Sequence, residues 1–369
     1  MKAWPVLGVS LMQAFLLLAH WFIFHTLVVF CGNLSFAAGL PLRVILFLLT
    51  FSFIPSALLS FRFSGFLVAL LYKIAAIWLG FLNYFFLAAC LCWILDFGLR
   101  LAIFPVQRPI LAGVLFSLAA LTGIYGLVNA LLIRIHRVPI HLANLPASWH
   151  GRSALLISDL HLGHINGLLF SRRIVDLAAR IEPDIILIPG DFFDGARVDP
   201  ARLAAPFSAL SPPLGMYFVT GNHDEYGDLP HYLEALRAAG IRILKNERAI
   251  VDGLPILGVS YHESTHILHL RATLESLRPD AGQPCILLSH VPNRLPIAEQ
   301  AGIALQLSGH THGGQLFPFT WLTRRAFGKF THGLHSFGTL KVYTSFGAGT
   351  WGPPMRVGTR PEVVVLQFE

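Results

Sequence analysis

Residues 154–161 read Ala154-Leu155-Leu156-Ile157-Ser158-Asp159-Leu160-His161. A short apolar run that breaks off at Asp-Leu-His reads as a buried strand with chemistry at its far end. The same pattern recurs downstream. Asp184-Ile-Ile-Leu-Ile188 runs into Gly190-Asp191-Phe192-Phe193-Asp194, and Gly215-Met-Tyr-Phe-Val219 into Gly221-Asn222-His223-Asp224. Pro284-Cys-Ile-Leu-Leu288 is followed by Ser289-His290, and Ile303-Ala-Leu-Gln-Leu307 by Gly309-His310-Thr311-His312-Gly313-Gly314. A further run, Ile256–Ser260, leads into Tyr261-His262-Glu263. Between the runs, Phe170–Ile181 and Tyr232–Ala239 have helical spacing, the first with Ile174, Leu177, Ala178 and Ile181 on one face. Strand–helix alternation of this kind implies a layered α/β domain, and about 230 residues suffice for one full core.

Upstream the texture is different. The 369-residue chain is 54% apolar and only 13% charged, with a mean hydropathy of +0.63, so part of it belongs in lipid. Leu7–Phe30, Val44–Leu59 (with Pro55 inside), Phe66–Ile94 and Pro109–Ile133 are long, nearly uncharged runs. A bilayer core of about 30 Å takes about 20 residues as helix, which makes four spans the simplest count. The first run is too long, and too plainly followed by others, for a cleavable signal peptide. The expected division is a multi-pass membrane domain over 1–137 and a catalytic domain over 138–369. His20 and His25 in the first run read as packed or interfacial, and the four cysteines as small apolar filler without metal-type spacing.

The first 140 residues carry eight Lys or Arg and one acid, Asp96, while the rest of the chain is balanced. The formal charge of +7 therefore belongs to the apolar part. It is a loop-charge signal of a membrane domain, and nucleic-acid binding is not expected. With four spans, Lys2, Arg62, Lys73, Arg134 and Arg137 fall on one side and Arg43, Arg100 and Arg108 on the other. Five against three favours a cytoplasmic C-terminal domain.

In an open α/β sheet the loops at the carboxyl ends of the strands converge on one crevice. Five strand ends here deliver Asp, Asn or His, side chains that bind divalent metals. In extended backbone residues i and i+2 share a side, so Asp159 and His161 are expected to share an ion; Thr311 similarly separates His310 and His312. Gly190, Gly221 and Gly309 are expected to let the chain turn sharply at the strand tips.

This ordered set resembles the calcineurin-like binuclear metallophosphoesterase superfamily from about Val138 onward. Ser158-Asp-Leu-His-Leu-Gly163, Gly309-His-Thr-His-Gly-Gly-Gln315 and Gly349-Thr-Trp-Gly-Pro-Pro354 are similar to its membrane-attached bacterial branch. The resemblance implies a sandwich of two mixed sheets flanked by helices, here preceded by the all-α transmembrane domain. It also implies two divalent ions, with Mn, Fe, Zn and Co all compatible with the side chains. Asp159, His161, Asp191 and His312 resemble the ligands of the first. Asp191 would bridge to a second ion held also by Asn222, His290 and His310. His223 resembles the substrate-facing histidine and Asp194 the acid that orients it. Asp224 is expected to brace the loop.

Two such ions, about 3.5–4 Å apart, clamp a phosphoryl group and acidify a water that attacks phosphorus. The expected activity is hydrolysis of a phosphodiester or pyrophosphate bond at a bacterial inner membrane, with the bilayer as partner and a lipid or glycolipid phosphoester as substrate. The alternatives are a tethered phosphodiesterase for soluble substrates and, less in keeping with spans that lack paired charges, a transporter or sensor with a regulatory phosphoesterase domain. The sequence leaves three features open. His164 lies close to the metal loop. His262, His266 and His269 either line the cleft or stand on an exposed helix. The basic–aromatic segment 321–335 either meets anionic headgroups or is a solvated loop.

Overall fold

The structure, a computed structural model, describes residues 3–32, 36–277 and 282–369. The chain divides into two compact units, one of residues 1–128 with 352–355, the other of 129–351 with 356–369.

The first unit is helical: α1 (Ala3–Cys31), α2 (Phe36–Thr50), α3 (Phe53–Arg62), α4 (Phe66–Leu101) and α5 (Arg108–Ala130). Four stretches are long and apolar enough to cross a membrane: Leu7–Cys31, Gly39–Arg62, Phe66–Leu101 and Arg108–Ala130. The second of these contains the break between α2 and α3. Pro55 sits in the first turn of α3, where its missing N–H costs no helical bond. Leu16, Ala19 and Ile23 of α1 pack with Leu82 and Ala89 of α4. The two helical histidines are packed. Nδ1 of His20 lies 2.7 Å from the Leu16 carbonyl while Trp78 donates to its Nε2 at 2.9 Å. The His25 ring stacks with those of Trp21 and Trp93. Asp96 accepts from Arg100 at 3.1 Å and from Arg108 at 2.7 and 3.0 Å. The turn between α4 and α5 creates the second pair, which the twelve-residue spacing does not suggest.

The second unit contains two six-stranded mixed sheets. The first has the order β1-β12-β2-β3-β4-β5, built from β1 (Arg134–Ile140), β2 (Ser153–Leu156), β3 (Ile185–Pro189), β4 (Met216–Val219), β5 (Ile241–Ile243) and β12 (Glu362–Phe368). The second has the order β10-β11-β9-β8-β7-β6, from β6 (Glu247–Val251), β7 (Leu254–Gly258), β8 (Ile286–Leu288), β9 (Leu305–Ser308), β10 (Gly333–Phe337) and β11 (Leu340–Thr344). The helices are α6 (Leu168–Ile181), α7 (Pro200–Ala204), α8 (Asn222–Tyr226), α9 (Leu229–Ala238), α10 (Tyr261–Thr265), α11 (Ile267–Ser276), α12 (Leu295–Gln300) and α13 (Phe319–Phe327).

Strand alternation builds the layers. Leu155, Ile157, Ile186 and Ile188 face the helices, packing with Ile174 and Ala178 of α6. Their neighbours Ala154, Leu156, Ile185 and Leu187 face the other sheet, meeting Ile256, Ile286, Leu288, Leu305 and Leu307. Leu257, Leu287 and Val342 then face Leu270 and Leu274 of α11. This is the expected arrangement of two mixed sheets flanked by helices. Strands β2, β3 and β4 are mutually parallel, as are β8 and β9. Within each sheet the carboxyl ends of these strands therefore open on one edge.

Candidate metal centre

All nine residues singled out by the sequence lie in loops or first turns that follow five of these strands. Asp159 and His161 follow β2, Asp191 and Asp194 follow β3, Asn222 and His223 open α8 after β4, His290 follows β8, and His310 and His312 follow β9.

Seven of them form one continuous chain of side chains. Oδ1 of Asn222 is 3.0 Å from Nδ1 of His310, which is 3.3 Å from Nε2 of His290. Nε2 of His290 is 3.1 Å, and Nε2 of His161 3.6 Å, from Oδ2 of Asp191. Nε2 of His161 faces Nε2 of His312 at 3.0 Å, and that nitrogen is 3.5 Å from Oδ1 of Asp159. Asp159, His161 and His312 offer three donor atoms within 4.8 Å of one another, and Asp159, Asp191 and His290 do the same. Every member of both groups is buried.

The local backbone is strained. Five of the seven, Asp159, His161, Asp191, His310 and His312, have φ between 46° and 70°. Left-handed backbone costs a side-chain-bearing residue roughly 1–2 kcal/mol and persists only where the surroundings enforce it. The extended geometry expected for Asp159-Leu-His161 is therefore absent, because the chain curls at the strand tip. The side chains converge all the same. The glycines also act differently from the expectation in two cases of three. Gly190 does take a positive φ, +94°. Gly221 and Gly309 do not; a Cβ on Gly221 would overlap Oδ1 of Asp191, and one on Gly309 would overlap Ser158 and Asp159. Close approach, rather than turning, requires glycine there.

The electrostatics fit a pair of cations. Burial pushes the Asp191 carboxyl up, but His290, His161 and His223 outweigh it and hold the group well below the usual carboxylate range. Burial pushes His290 down, yet the Asp191 and Asp159 carboxylates lift it to about 9. Burial, reinforced by neighbouring His290, lowers His310 to about 3. His312 is lowered well below the ordinary range by burial, then by His161 and Arg356. Two imidazoles thus keep open lone pairs, while a third serves as proton-carrying counter-ion to buried carboxylates. Divalent ions supply that compensation directly, and this His/Asp/Asn donor set suits borderline metals.

The supporting shell is specific. Asp224 accepts the backbone N–H groups of Asp191, Gly221 and Phe193 at 2.8, 2.9 and 3.0 Å, bracing the loop as expected. The Asp191 carboxylate in turn accepts the N–H of His223 at 2.9 Å. Nδ1 of His290 lies 2.8 Å from the Pro189 carbonyl, an acceptor that sets its tautomer and leaves Nε2 toward Asp191. The Asp194 carboxylate is nearer His161, 3.2 Å from Nδ1, than His223, 3.7 Å. His223 is held instead through the Asp194 backbone carbonyl, 3.1 Å from its Nδ1.

The sequence points to no role for Arg356, and it shows Tyr261 and Trp351 only as members of the runs Tyr261-His262-Glu263 and Gly349–Pro354. Arg356 is fully buried, and one of its terminal nitrogens donates at 2.7 Å to the carbonyls of Phe346 and Gly349. Both strong protons of that nitrogen are thereby used, so its approach to Nδ1 of His312 at 3.2 Å acts mainly through charge, keeping the imidazole neutral. No motif marks this residue; it lies just past the Gly349–Pro354 segment. The Trp351 ring is 5.8 Å from that of His223 and is exposed, and the Tyr261 ring lies 6.2 Å from His290 and 6.4 Å from His310. His164 is half-buried in the turn after the metal loop. His262, His266 and His269 are exposed along α10 and the start of α11. The segment 321–335 begins within α13, which has no buried residue, and Phe327 at its end lies 6.3 Å from the His310 ring.

Residues 153–314 match the family described as calcineurin-like phosphoesterase. The chain is similar to an uncharacterized metallophosphoesterase of Aquifex aeolicus, 33% identical over 68% of this chain and 98% of that protein. It is also similar to the transmembrane protein with metallophosphoesterase domain of Danio rerio, 35% identical over 67% of this chain and 60% of that protein. The Bos taurus protein of the same name is 33% identical over 70% of this chain and 62% of its own length. The chain thus spans about three-fifths of those two vertebrate relatives.

Proposed function

The chain belongs to the calcineurin-like metallophosphoesterases, and from that premise we propose how its residues divide the work of hydrolysing a phosphoric ester with two divalent metals. Asp159, His161, Asp191 and His312 would hold one ion, and Asp191 would also serve a second, held with Asn222, His290 and His310. The observation that carries this reading is the convergence of these seven side chains from five strand ends, with Oδ2 of Asp191 within 3.1 Å of His290 and 3.6 Å of His161. When bound, the ions neutralise the phosphoryl charge and acidify the attacking water.

The chain's own residues supply the rest. The Asp191 carboxylate fixes the backbone of His223, and the Asp194 carbonyl accepts the hydrogen bond of its Nδ1–H, leaving the lone pair on Nε2. Burial and neighbouring His161 keep this imidazole below its ordinary range. An arriving phosphoester brings negative charge that favours a proton on Nε2, ready for the leaving oxygen. Asp194 positions His161 through its carboxylate and His223 through its carbonyl.

We further propose that the ester or pyrophosphate belongs to a lipid-linked substrate and that hydrolysis occurs on the cytoplasmic side of a bacterial inner membrane. The support comes from α13, whose Phe319, Trp321 and Leu322 are exposed beside Arg324 and Arg325, and whose Phe327 lies against His310. Exposed apolar side chains next to basic ones suit an anionic lipid surface. Turnover of detergent-dispersed lipid pyrophosphates against soluble phosphodiesters tests the substrate class. A preference for the lipid substrates supports the reading, and equal or better turnover of soluble diesters favours a general phosphodiesterase.

A further inference from the structure

We propose that His262, His266 and His269 form a third metal site, outside the catalytic centre, that takes one borderline divalent cation of the Zn2+, Ni2+ or Cu2+ class. His262 lies in α10, His269 lies in the first turn of α11, and His266 joins the two helices in extended backbone (φ −103°, ψ 121°). The extended residue His266 interrupts the helix, so it is the turn between α10 and α11, and not helical spacing, that brings the three rings together. Their ring centroids are 4.6 Å apart for His262 and His266, 5.2 Å for His266 and His269, and 5.8 Å for His262 and His269. One nitrogen from each lies within 4.8 Å of the other two, and all three residues are exposed.

The geometry favours coordination over simple surface packing. Nδ1 of His266 lies 2.7 Å from the His262 carbonyl, which can only accept, so Nδ1 carries the proton and Nε2 keeps its lone pair. This carbonyl-to-imidazole bond is the usual device that orients a ligating histidine. The platform is also anchored. The backbone N–H of His262 donates to the Glu225 carboxylate at 3.1 Å, and that of Ser260 donates to Asn246 at 3.0 Å. The nearest carboxylate in sequence, Glu263, accepts from the Ser260 hydroxyl rather than from an imidazole. Three imidazole nitrogens this close together suit a borderline cation, whereas a hard ion such as Mg2+ prefers oxygen ligands. Three imidazoles leave further coordination positions open to solvent.

The site adjoins the catalytic cleft without belonging to it. Tyr261, the first residue of α10, lies beside His290 and His310, and the next residue, His262, points its ring to the cluster. The test is competition of Zn2+ against a chromophoric chelator, using the full chain in detergent. Wild type should bind one more Zn2+ than His269→Ala, and His266→Ala should behave the same way. At this site both variants should bind at least about tenfold more weakly, since even outer-shell losses cost that much. The difference should persist in an Asp191→Asn background, which makes the result independent of the catalytic pair. Mg2+ binding should be identical in wild type and variants. Equal Zn2+ stoichiometry and affinity in wild type and His269→Ala would overturn the proposal, as would loss of a Mg2+ ion in that variant.

Discussion

The carboxylate of Asp224 accepts the backbone N–H of Asp191 at 2.8 Å, so one carboxylate fixes the chain that presents the other to the metals. Burial, aided by Asp191 nearby, pushes the Asp224 carboxyl up to about 7, yet three N–H donors hold it in place. Asp224→Asn keeps the size but sets an NH2 group against the donors on one side of the carboxylate, losing at least one of the three bonds. Metal affinity should fall by about 10–100-fold, the usual cost of a lost outer-shell partner. Metal analysis after dialysis checks this; wild-type metal retention would show that the loop holds itself.

His223 and Asp194 should separate chemistry from metal binding. His223→Ala is expected to keep both ions while turnover falls about 10²–10⁴-fold, the usual effect of a positioned acid or base. The loss should shrink for aryl phosphodiesters, whose leaving groups need less protonation. Asp194→Asn should act differently, because its carboxylate reaches His161 at 3.2 Å. Its defect should include weaker metal binding. A His223→Ala enzyme that loses a metal, or is equally impaired with good and poor leaving groups, contradicts the acid role.

Arg356 should act chiefly on stability. Arg356→Met leaves the Phe346 and Gly349 carbonyls buried without their donor, which should destabilise the domain by about 3 kcal/mol. Arg356→Lys should restore little, since an ammonium cannot reproduce the planar fork. Denaturation followed by near-UV circular dichroism would measure it. A change below about 0.5 kcal/mol, the size of an ordinary surface substitution, would mean that water replaces the guanidinium.

The orientation proposal rests on five basic residues against three flanking the spans. A reporter fused after Glu369 should therefore read as cytoplasmic. Activity of a periplasm-dependent reporter at that position would reverse the topology.

The parts of the fold legible in sequence were those with a simple period. Strands β2, β3, β4, β7, β8 and β9 are short apolar runs, and the ends of all but β7 carry the candidate ligands. Strand β1 was not legible because its Arg134, His136, Arg137 and Pro139 give an outward-facing pattern that resembles a loop. Strands β10 and β11 follow the polar segment around Lys329 and His332 and carry few consecutive apolar residues. The candidate ligands could be picked out because each follows a strand, whereas their left-handed backbone could not, since nothing in Asp-Leu-His signals a positive φ. Arg356 was hidden for a related reason: its importance comes from irregular segments meeting in space, and no spacing records that.

The most direct measurement concerns the bridge. Asp191 stands between His161 and His290, its Oδ2 3.6 Å from Nε2 of the first and 3.1 Å from Nε2 of the second. Metal content and phosphodiester turnover should be measured on purified wild type and Asp191→Asn in the same detergent. Wild type should carry two divalent ions at the centre, and the variant should lose or weaken both while turnover falls by orders of magnitude. A variant that keeps both central ions with near-normal turnover would contradict the binuclear account.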